Sequence, residues 1–238
     1  MLEKNRAAAI LGVFIFLGLV IFAALISKAA LKVKSMDRIV TVKGLAEREV
    51  EANVAIWPIK FDEAGNDLSQ LYASLAKKTN LIVEFLQDNG FAEDEITISQ
   101  PSIFDKQAQS HGDGGNAKYR FTATGVITVY SQQVNLVQAS SRQIVELGKQ
   151  GIALSGQDYQ YRTQYLFTEL NSIKPDMIEE ATKNARQAAE KFAKDSNSKL
   201  GKIKNATQGQ FSINDRDASA QHIKKVRVVS TVRYFLSD

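Results

Sequence analysis

The sequence predicts an α+β protein with mostly antiparallel sheet and three helices packed on one face, preceded by one N-terminal transmembrane helix. Three observations predict it. Residues Ala7 to Ile26 carry no charge over twenty positions. Several later segments alternate polar and apolar residues at period two, while three others follow the helical period. Short connections between neighbouring strands favour antiparallel pairing, and the predicted order is ββαββαβαββ.

The apolar segment is long enough to cross a membrane. Its twenty residues would form a helix of roughly 30 Å, which matches the hydrocarbon core of a bilayer. Ser27 and Ala29 also fit the cleavage site of a signal peptide, but the run is long for a signal, so an uncleaved anchor is favoured. Positive residues lie on both sides and leave the topology undecided. We therefore assign residues 1–35 to an anchor or signal with a basic tether. Residues 36–238 form the folded part, which is long enough for one large domain or two small, closely packed ones.

Composition narrows the possible chemistry. The chain has no cysteine, which excludes disulfides, a lipid-modified cysteine and thiol catalysis. The formal net charge is +4, and much of that excess lies beside the apolar segment, where it suits lipid headgroups. Membrane lipid, contacted through Ala7 to Ile26, is therefore a predicted partner, and nucleic acid is not.

The first two strands are predicted at residues 38–44 and 53–61, both with period-two alternation. Pro58 lies inside the second of them. Because proline has no N–H to donate to a sheet, this strand is expected at an edge or with a bulge.

The first long helix follows Asp67, which can cap its N-terminus together with Gln70. Asn89 and Gly90 supply the stop signal at its end. The predicted buried stripe consists of Leu68, Leu71, Leu75, Ile82 and Phe85.

The middle of the chain alternates strands with one further helix. A short strand is expected at Ile96 and Ile98, then a polar, glycine-rich loop over 105–117. The clearest strand covers 119–130, and the second helix covers 134–147.

The last third contains the third helix and two closing strands. Pro175 fits the first turn of that helix, where its missing N–H costs nothing. The closing strands are expected near 202–213 and 225–236. The predicted buried seam of the helix is Ile178, Ala181, Ala185, Ala188 and Phe192.

Several segments in a fixed order resemble the SIMPL-domain family of bacterial envelope proteins. They are the strand Ile39 to Gly44, the strand start Asn53 to Ile56, the stretch from Leu86 through Phe91 to Thr97, and the alanine-rich helix Ala181 to Ala193 leading into Leu200 to Ile203. Asn53 departs from the family pattern, which often has an aspartate there.

The resemblance implies a protein of the bacterial inner membrane, single-pass, with its soluble domain facing the periplasm. Secretion to the periplasm after signal cleavage is the alternative. It also implies self-association into a homo-oligomer and a link to stress tolerance. It implies no catalytic residues, because the family has no agreed catalytic motif.

No residue is predicted as catalytic, cofactor-binding or metal-binding. His111 with Asp113 could hold a metal weakly, but an ordinary surface histidine is favoured, and His222 is interpreted in the same way. Gly112, Gly114 and Gly115 indicate loop flexibility rather than a phosphate cradle. The carboxylate pairs Asp94 with Glu95 and Glu179 with Glu180 fit a solvated surface or a helix start.

An aromatic run is the remaining candidate for a ligand-binding surface. Tyr159, Tyr161, Tyr165 and Phe167 alternate along a predicted strand, with Arg162 between them. Core packing is favoured. Stacking on single-stranded nucleic acid is disfavoured by the compartment, and a protein or peptide surface is the next alternative.

Three function classes follow. The favoured one is a non-enzymatic, structural or interaction protein that self-associates through sheet edges and helix surfaces. The second is a binding module for an envelope ligand or peptide, with the 105–117 loop as a lid. An enzyme is disfavoured, because no pair of nucleophile and base is visible in the sequence.

Overall fold

A computed structural model of the chain describes residues 2–35, 38–108, 118–155 and 159–237. It confirms the α+β class, with antiparallel sheets and an N-terminal apolar helix. The chain divides into two compact units. The first unit comprises Met1–Arg48, Ile173–Ser212 and Arg227–Asp238, and the second comprises Glu49–Ser172 and Ile213–Val226.

Five helices and ten strands are defined in the described residues. The helices are α1 (Leu2–Ser35), α2 (Leu68–Asp88), α3 (Val134–Gln143), α4 (Val145–Lys149) and α5 (Leu170–Asp195). The strands are β1 (Ile39–Glu51), β2 (Val54–Gly65), β3 (Ile96–Ile98), β4 (Ser102–Asp105), β5 (Phe121–Ser131), β6 (Ala153–Leu154), β7 (Gln164–Leu166), β8 (Lys199–Gln208), β9 (Ser212–Asp215) and β10 (Ile223–Ser237).

The strands form two sheets. One has the order β1-β10-β8, with β9 also pairing with β10. The other has the order β3-β5-β2-β6, with β4 pairing with β5 and β7 pairing with β2. Its centre is the long antiparallel ladder from Ala55 opposite Ser131 to Gly65 opposite Phe121.

The core of the second unit lies on one face of the six-stranded sheet. Period two turns Ala55, Trp57, Ile59 and Phe61 of β2 to the same side, and all four are buried. Side chains of α2, α3 and α4 complete this core. The Asp67 carboxylate caps α2 by accepting a hydrogen bond from the backbone N–H of Gln70 at 2.8 Å, as predicted.

The buried stripe of α2 matches the prediction in part. Leu71, Leu75 and Ile82 are buried, but Leu68 is exposed and Leu86 is buried in its place. Phe85 is only partly buried against the core. The helix ends at Asp88 with Asn89 as its C-cap, and Gly90 follows with a φ of +98°, which glycine adopts more easily than other residues.

The first unit has a smaller core between α5 and its sheet. It contains Val42, Ala185, Ala189, Val232 and Tyr234. The approach is close because β1 presents Gly44 to the backbone of α5. Small residues on both sides allow the helix to lie against the strand.

The predicted helix count is wrong by one. The segment 134–147 forms two helices, because Ile144 forms a turn between α3 and α4 and the N–H of Leu147 donates to the Ile144 carbonyl three residues back. Strands β4, β6 and β9 were not predicted. They have four, two and four residues, too few for a periodic pattern.

The start and buried face of α5 also differ from the prediction. The helix begins at Leu170, so Pro175 lies inside its second turn. Its buried residues are Met177, Ala181, Ala185, Ala189 and Ala193. Phe192, predicted in the seam, is 60% exposed. The buried positions repeat every fourth residue. The first and last of them, Met177 and Ala193, lie one position away from the predicted Ile178 and Phe192.

The predicted strand at 159–167 is mostly not a strand. Tyr159–Tyr161 forms a short 3-10 helix, and only Gln164–Leu166 pairs with β2. Tyr159 is 83% exposed, while Tyr165 packs against the core of the second unit. The prediction of core packing is therefore confirmed for Tyr165 and wrong for Tyr159.

Candidate functional site

The helix α1 contains a stretch that is long and apolar enough to cross a membrane. Gly12–Ala30 spans 19 residues with a mean hydropathy of 2.4, and none of it is buried against the rest of the chain. An apolar helix without a protein partner is costly in water and stable in lipid. Length and composition agree with an anchor, and a signal sequence near an N-terminus has the same properties.

A gap in the six-stranded sheet marks a cavity in the second unit. On the side of β2 away from β5, β7 pairs with Val54 to Ile56 and β6 pairs with Phe61 and Asp62. The intervening residues Trp57 to Lys60 have no strand partner on that side within the described residues. The gap opens into a cavity of about 540 Å³.

Pro58 lies in this gap. The Ser155 N–H donates to the Lys60 carbonyl at 3.0 Å, so the backbone groups of Lys60 point away from β5. Alternation along the strand directs Pro58 to the same side. The prediction of an edge strand is wrong for β2 as a whole, which has neighbours on both sides. It holds locally, because the missing proline N–H would face the gap and no ladder bond is lost.

Basic side chains from three segments surround the cavity. Lys60 comes from β2, Arg142 from the end of α3, and Arg162 from the segment before β7. No aspartate or glutamate is among the described residues that line it. Neither Arg142 nor Arg162 forms an ion pair with a carboxylate of the described residues. The charge that the described residues contribute to the lining is therefore positive.

Aromatic side chains form much of the wall. Trp57, Tyr161, Tyr165 and His222 all line the cavity. The Tyr165 and His222 rings meet edge to face, with centroids 6.1 Å apart. The Lys60 ammonium lies 5.1 Å from the centre of the Tyr161 ring.

Burial and a nearby charge act in opposite directions on the pKa of Tyr165. Burial raises the pKa of its hydroxyl above the ordinary value of 10.0, and the nearby Arg142 guanidinium opposes that effect. The tyrosine is therefore a neutral hydrogen-bonding group at physiological pH, beside a permanently charged arginine.

A second feature belongs to the first unit. Strand β8 is the outermost strand of its sheet, and every residue in it except Leu200 is exposed. Ile203 of this strand is 50% exposed. Beside it, α5 and β8 enclose a groove that contains Glu179, Arg186, Glu190 and Tyr234. An edge strand of this length offers unpaired backbone groups to another strand.

Several residues weighed from the sequence lie elsewhere. His111, Asp113 and the glycines 112, 114 and 115 lie outside the described residues, as does most of the 105–117 loop. Asp94 and Glu95 occupy a short 3-10 helix, where the Glu95 carboxylate accepts from the Ala92 N–H at 3.0 Å. That hydrogen bond explains Glu95 structurally.

Several residues considered in the sequence analysis do belong to the cavity and the groove described above. His222, Tyr161 and Arg162 line the cavity of the second unit. Glu179 lines the groove of the first unit. Among the described residues, no cluster of three or more histidine, cysteine, aspartate or glutamate side chains is placed to hold a metal ion.

Sequence reasoning missed Lys60 and Arg142. They lie 82 positions apart and meet only because α3 packs beside β2. Each has the local sequence of an ordinary surface residue. The one usable signal was Arg162 within an aromatic run, which indicates a ligand surface without identifying its other residues.

Residues 40–234 match the sequence model of SIMPL, described as a protein of unknown function (DUF541). The chain belongs to the SIMPL family. The predicted resemblance is thereby confirmed. No curated protein matches the chain.

The SIMPL match covers both features. All described lining residues of the cavity and all of β8 lie within it, whereas the apolar stretch Gly12–Ala30 precedes it. The apolar helix is therefore an addition to the SIMPL domain of this chain.

Proposed function

We propose that this chain is a membrane-anchored SIMPL protein of the bacterial envelope, non-enzymatic and of interaction type, with its domain in the periplasm. The observation that carries the proposal is the exposed apolar stretch Gly12–Ala30, which precedes the family match. Retained as an anchor, it would confine the domain to one membrane surface. The link to stress tolerance stays a prediction of the family resemblance.

Cysteine labelling tests the location, because the chain has no cysteine of its own. Tyr72→Cys places one thiol on the exposed face of α2, where Tyr72 is 51% exposed. We expect a membrane-impermeant maleimide to label it in cells with a permeabilised outer membrane and an intact inner membrane. The labelled chain should stay in the membrane fraction after an alkaline wash.

Two results would overturn this location. Labelling only after lysis would put the domain in the cytoplasm, and release by the alkaline wash would show that the apolar helix is not an anchor. Ile82→Cys is the matched control on the same helix. Ile82 is fully buried, so its thiol should react only after denaturation.

The same proposal includes self-association through β8. Among the described residues no strand pairs with its outer edge, and copies anchored in one membrane meet at a raised effective concentration. Lys199, Lys202 and Lys204 lie in its first half, where like charges would oppose pairing with a second β8. The second half, 205–208, has no charge, so two copies are expected to pair there.

Disulfide crosslinking of the full-length chain in membranes tests this pairing. Single cysteines are placed in turn at Asn205, Ala206 and Thr207, all exposed on β8. We expect at least one to form a covalent dimer under mild oxidation, and Tyr72→Cys to stay monomeric. Monomers for all three β8 variants, or equal dimer yields at Tyr72, would overturn pairing through this edge.

The proposal of a non-enzymatic role is supported by two serines at the cavity. The Ser141 hydroxyl donates to the Gln138 carbonyl at 2.9 Å, and the Ser155 hydroxyl donates to the Asp62 carboxylate. Both protons are directed to acceptors other than His222. Neither serine is therefore arranged as a nucleophile activated by that histidine.

A further inference from the structure

We propose that the cavity of the second unit binds a small organic anion whose carboxylate or phosphate group contacts Arg142 and Arg162. The inference is independent of the proposed anchoring and self-association. It concerns residues of β2, α3 and the segment before β7, and none of the experiments above tests them.

The charge of the lining is the first argument. Arg142 and Arg162 remain charged at every physiological pH, and no described carboxylate pairs with either. Placing positively charged side chains around one cavity costs free energy, because they repel each other. An oxyanion between them would remove that repulsion and accept charge-assisted hydrogen bonds, which guanidinium groups form well with carboxylate and phosphate.

Lys60 contributes less to this charge. It lies near Asp62, whose carboxylate outside the cavity accepts hydrogen bonds from Thr124 at 2.6 Å and from Ser155. The charge of Lys60 is thus partly balanced by Asp62. The two arginines are the groups that an anion would engage.

The wall indicates what the rest of the ligand is like. A volume of about 540 Å³ is within the range of small-molecule sites. Trp57, Pro58 and Leu154 supply apolar surface, whereas Gln138, Thr163 and Gln221 supply hydrogen-bonding groups. A cyclic or aromatic body with an anionic group matches this combination of apolar walls and cationic rim.

The chain provides its own reporter for the test. Trp57 is its only tryptophan, and it lines the cavity. Full-length protein in neutral detergent is titrated with benzoate, phenyl phosphate and benzamide while Trp57 fluorescence is followed. Benzamide has the shape of benzoate without its charge. We expect saturable fluorescence changes with the two anions and none with benzamide. The anion that binds more tightly shows whether carboxylate or phosphate is preferred.

Variants assign the effect to the two arginines. The double variant Arg142→Gln with Arg162→Gln should weaken anion binding by about tenfold or more, since each lost charge-assisted hydrogen bond contributes roughly that factor. The matched control is Arg186→Gln in the first unit, an arginine that is 68% exposed and distant in sequence. It should bind like the unchanged chain. Raising the salt concentration should weaken binding of both anions.

Three results would overturn the proposal. They are no saturable change with either anion, equal binding of benzoate and benzamide, and unchanged affinity in the double arginine variant. Circular dichroism and the thermal midpoint are measured for every variant. If the double glutamine variant is unfolded, the single variants Arg142→Gln and Arg162→Gln replace it, and unchanged anion affinity in both folded single variants would also contradict the proposal.

Discussion

Gly44 of β1 lies against Ala181 of α5 with no room for a β-carbon between them. A Cβ atom built on Gly44 would be 1.8 Å from the Ala181 carbonyl oxygen and 2.4 Å from the Ala185 nitrogen. Both neighbours are backbone atoms, which cannot move aside as the end of a side chain can. This contact sets how closely α5 approaches its sheet.

Gly44→Ala should therefore destabilise the protein by about 3 kcal/mol, as overpacking against fixed atoms does. Denaturant unfolding of the full-length chain in detergent measures the change. Gly148→Ala is the matched control, because a Cβ there meets nothing within 4 Å. In that helical position alanine should stabilise by about 0.5 kcal/mol. Equal effects of the two substitutions would contradict the close approach.

The buried face of α5 gives a second prediction. Ala185 is fully buried and Phe192 is 60% exposed. Ala185→Leu should cost about 2 kcal/mol through overpacking, whereas Phe192→Ala should change the free energy of unfolding by no more than about 0.5 kcal/mol. If Phe192→Ala instead lowered the free energy of unfolding by about 3 kcal/mol, Phe192 would belong to the core, as the sequence predicted.

Acid should weaken the second unit through Glu63. Burial raises the pKa of its carboxyl, but hydrogen bonds from Lys78 and from Ser74 at 2.9 Å outweigh burial and bring it below the ordinary value of 4.5. A carboxyl with a lowered folded-state pKa stabilises the fold above 4.5, and this stabilisation is lost as pH falls through the folded-state pKa.

The free energy of unfolding should thus decline as pH is lowered below about 4.5. Ser74→Ala removes one of the two hydrogen bonds and should flatten that decline. Tyr72→Ala, an exposed change on the same helix, is the control. An unchanged acid profile in Ser74→Ala would show that this hydrogen bond does not set the pKa of Glu63.

The cap of α2 gives a fourth prediction. The Asp67 carboxylate accepts from the Gln70 N–H at 2.8 Å, so Asp67→Ala should cost about 1 kcal/mol. Asp67→Asn keeps an acceptor oxygen at the same place and should cost only a few tenths of that. The two unfolding free energies are compared directly. Equal losses would mean that the charge at the helix start, rather than the hydrogen bond, stabilises α2.

Local signals predicted the elements that depend on local physics. The cap at Asp67, the stop at Asn89 and Gly90, and the long strand β5 follow from hydrogen bonding and periodicity within a few residues. The short strands β4 and β6 could not be predicted in this way. They are strands only because β5 and β2 lie beside them.

The sequence by itself determined the fold class, the family and the apolar N-terminal helix, because these depend on long, repeated patterns of apolar residues. Only the tertiary structure decided which face of α5 is buried. Gly44 approaches the backbone of α5 at Ala181 and Ala185, so the face that packs against β1 carries alanine there, while Phe192 lies on the exposed side of the helix. The tertiary structure likewise brought Arg142 and Arg162 to one cavity, because packing of α3 beside β2 joins residues that no local pattern relates.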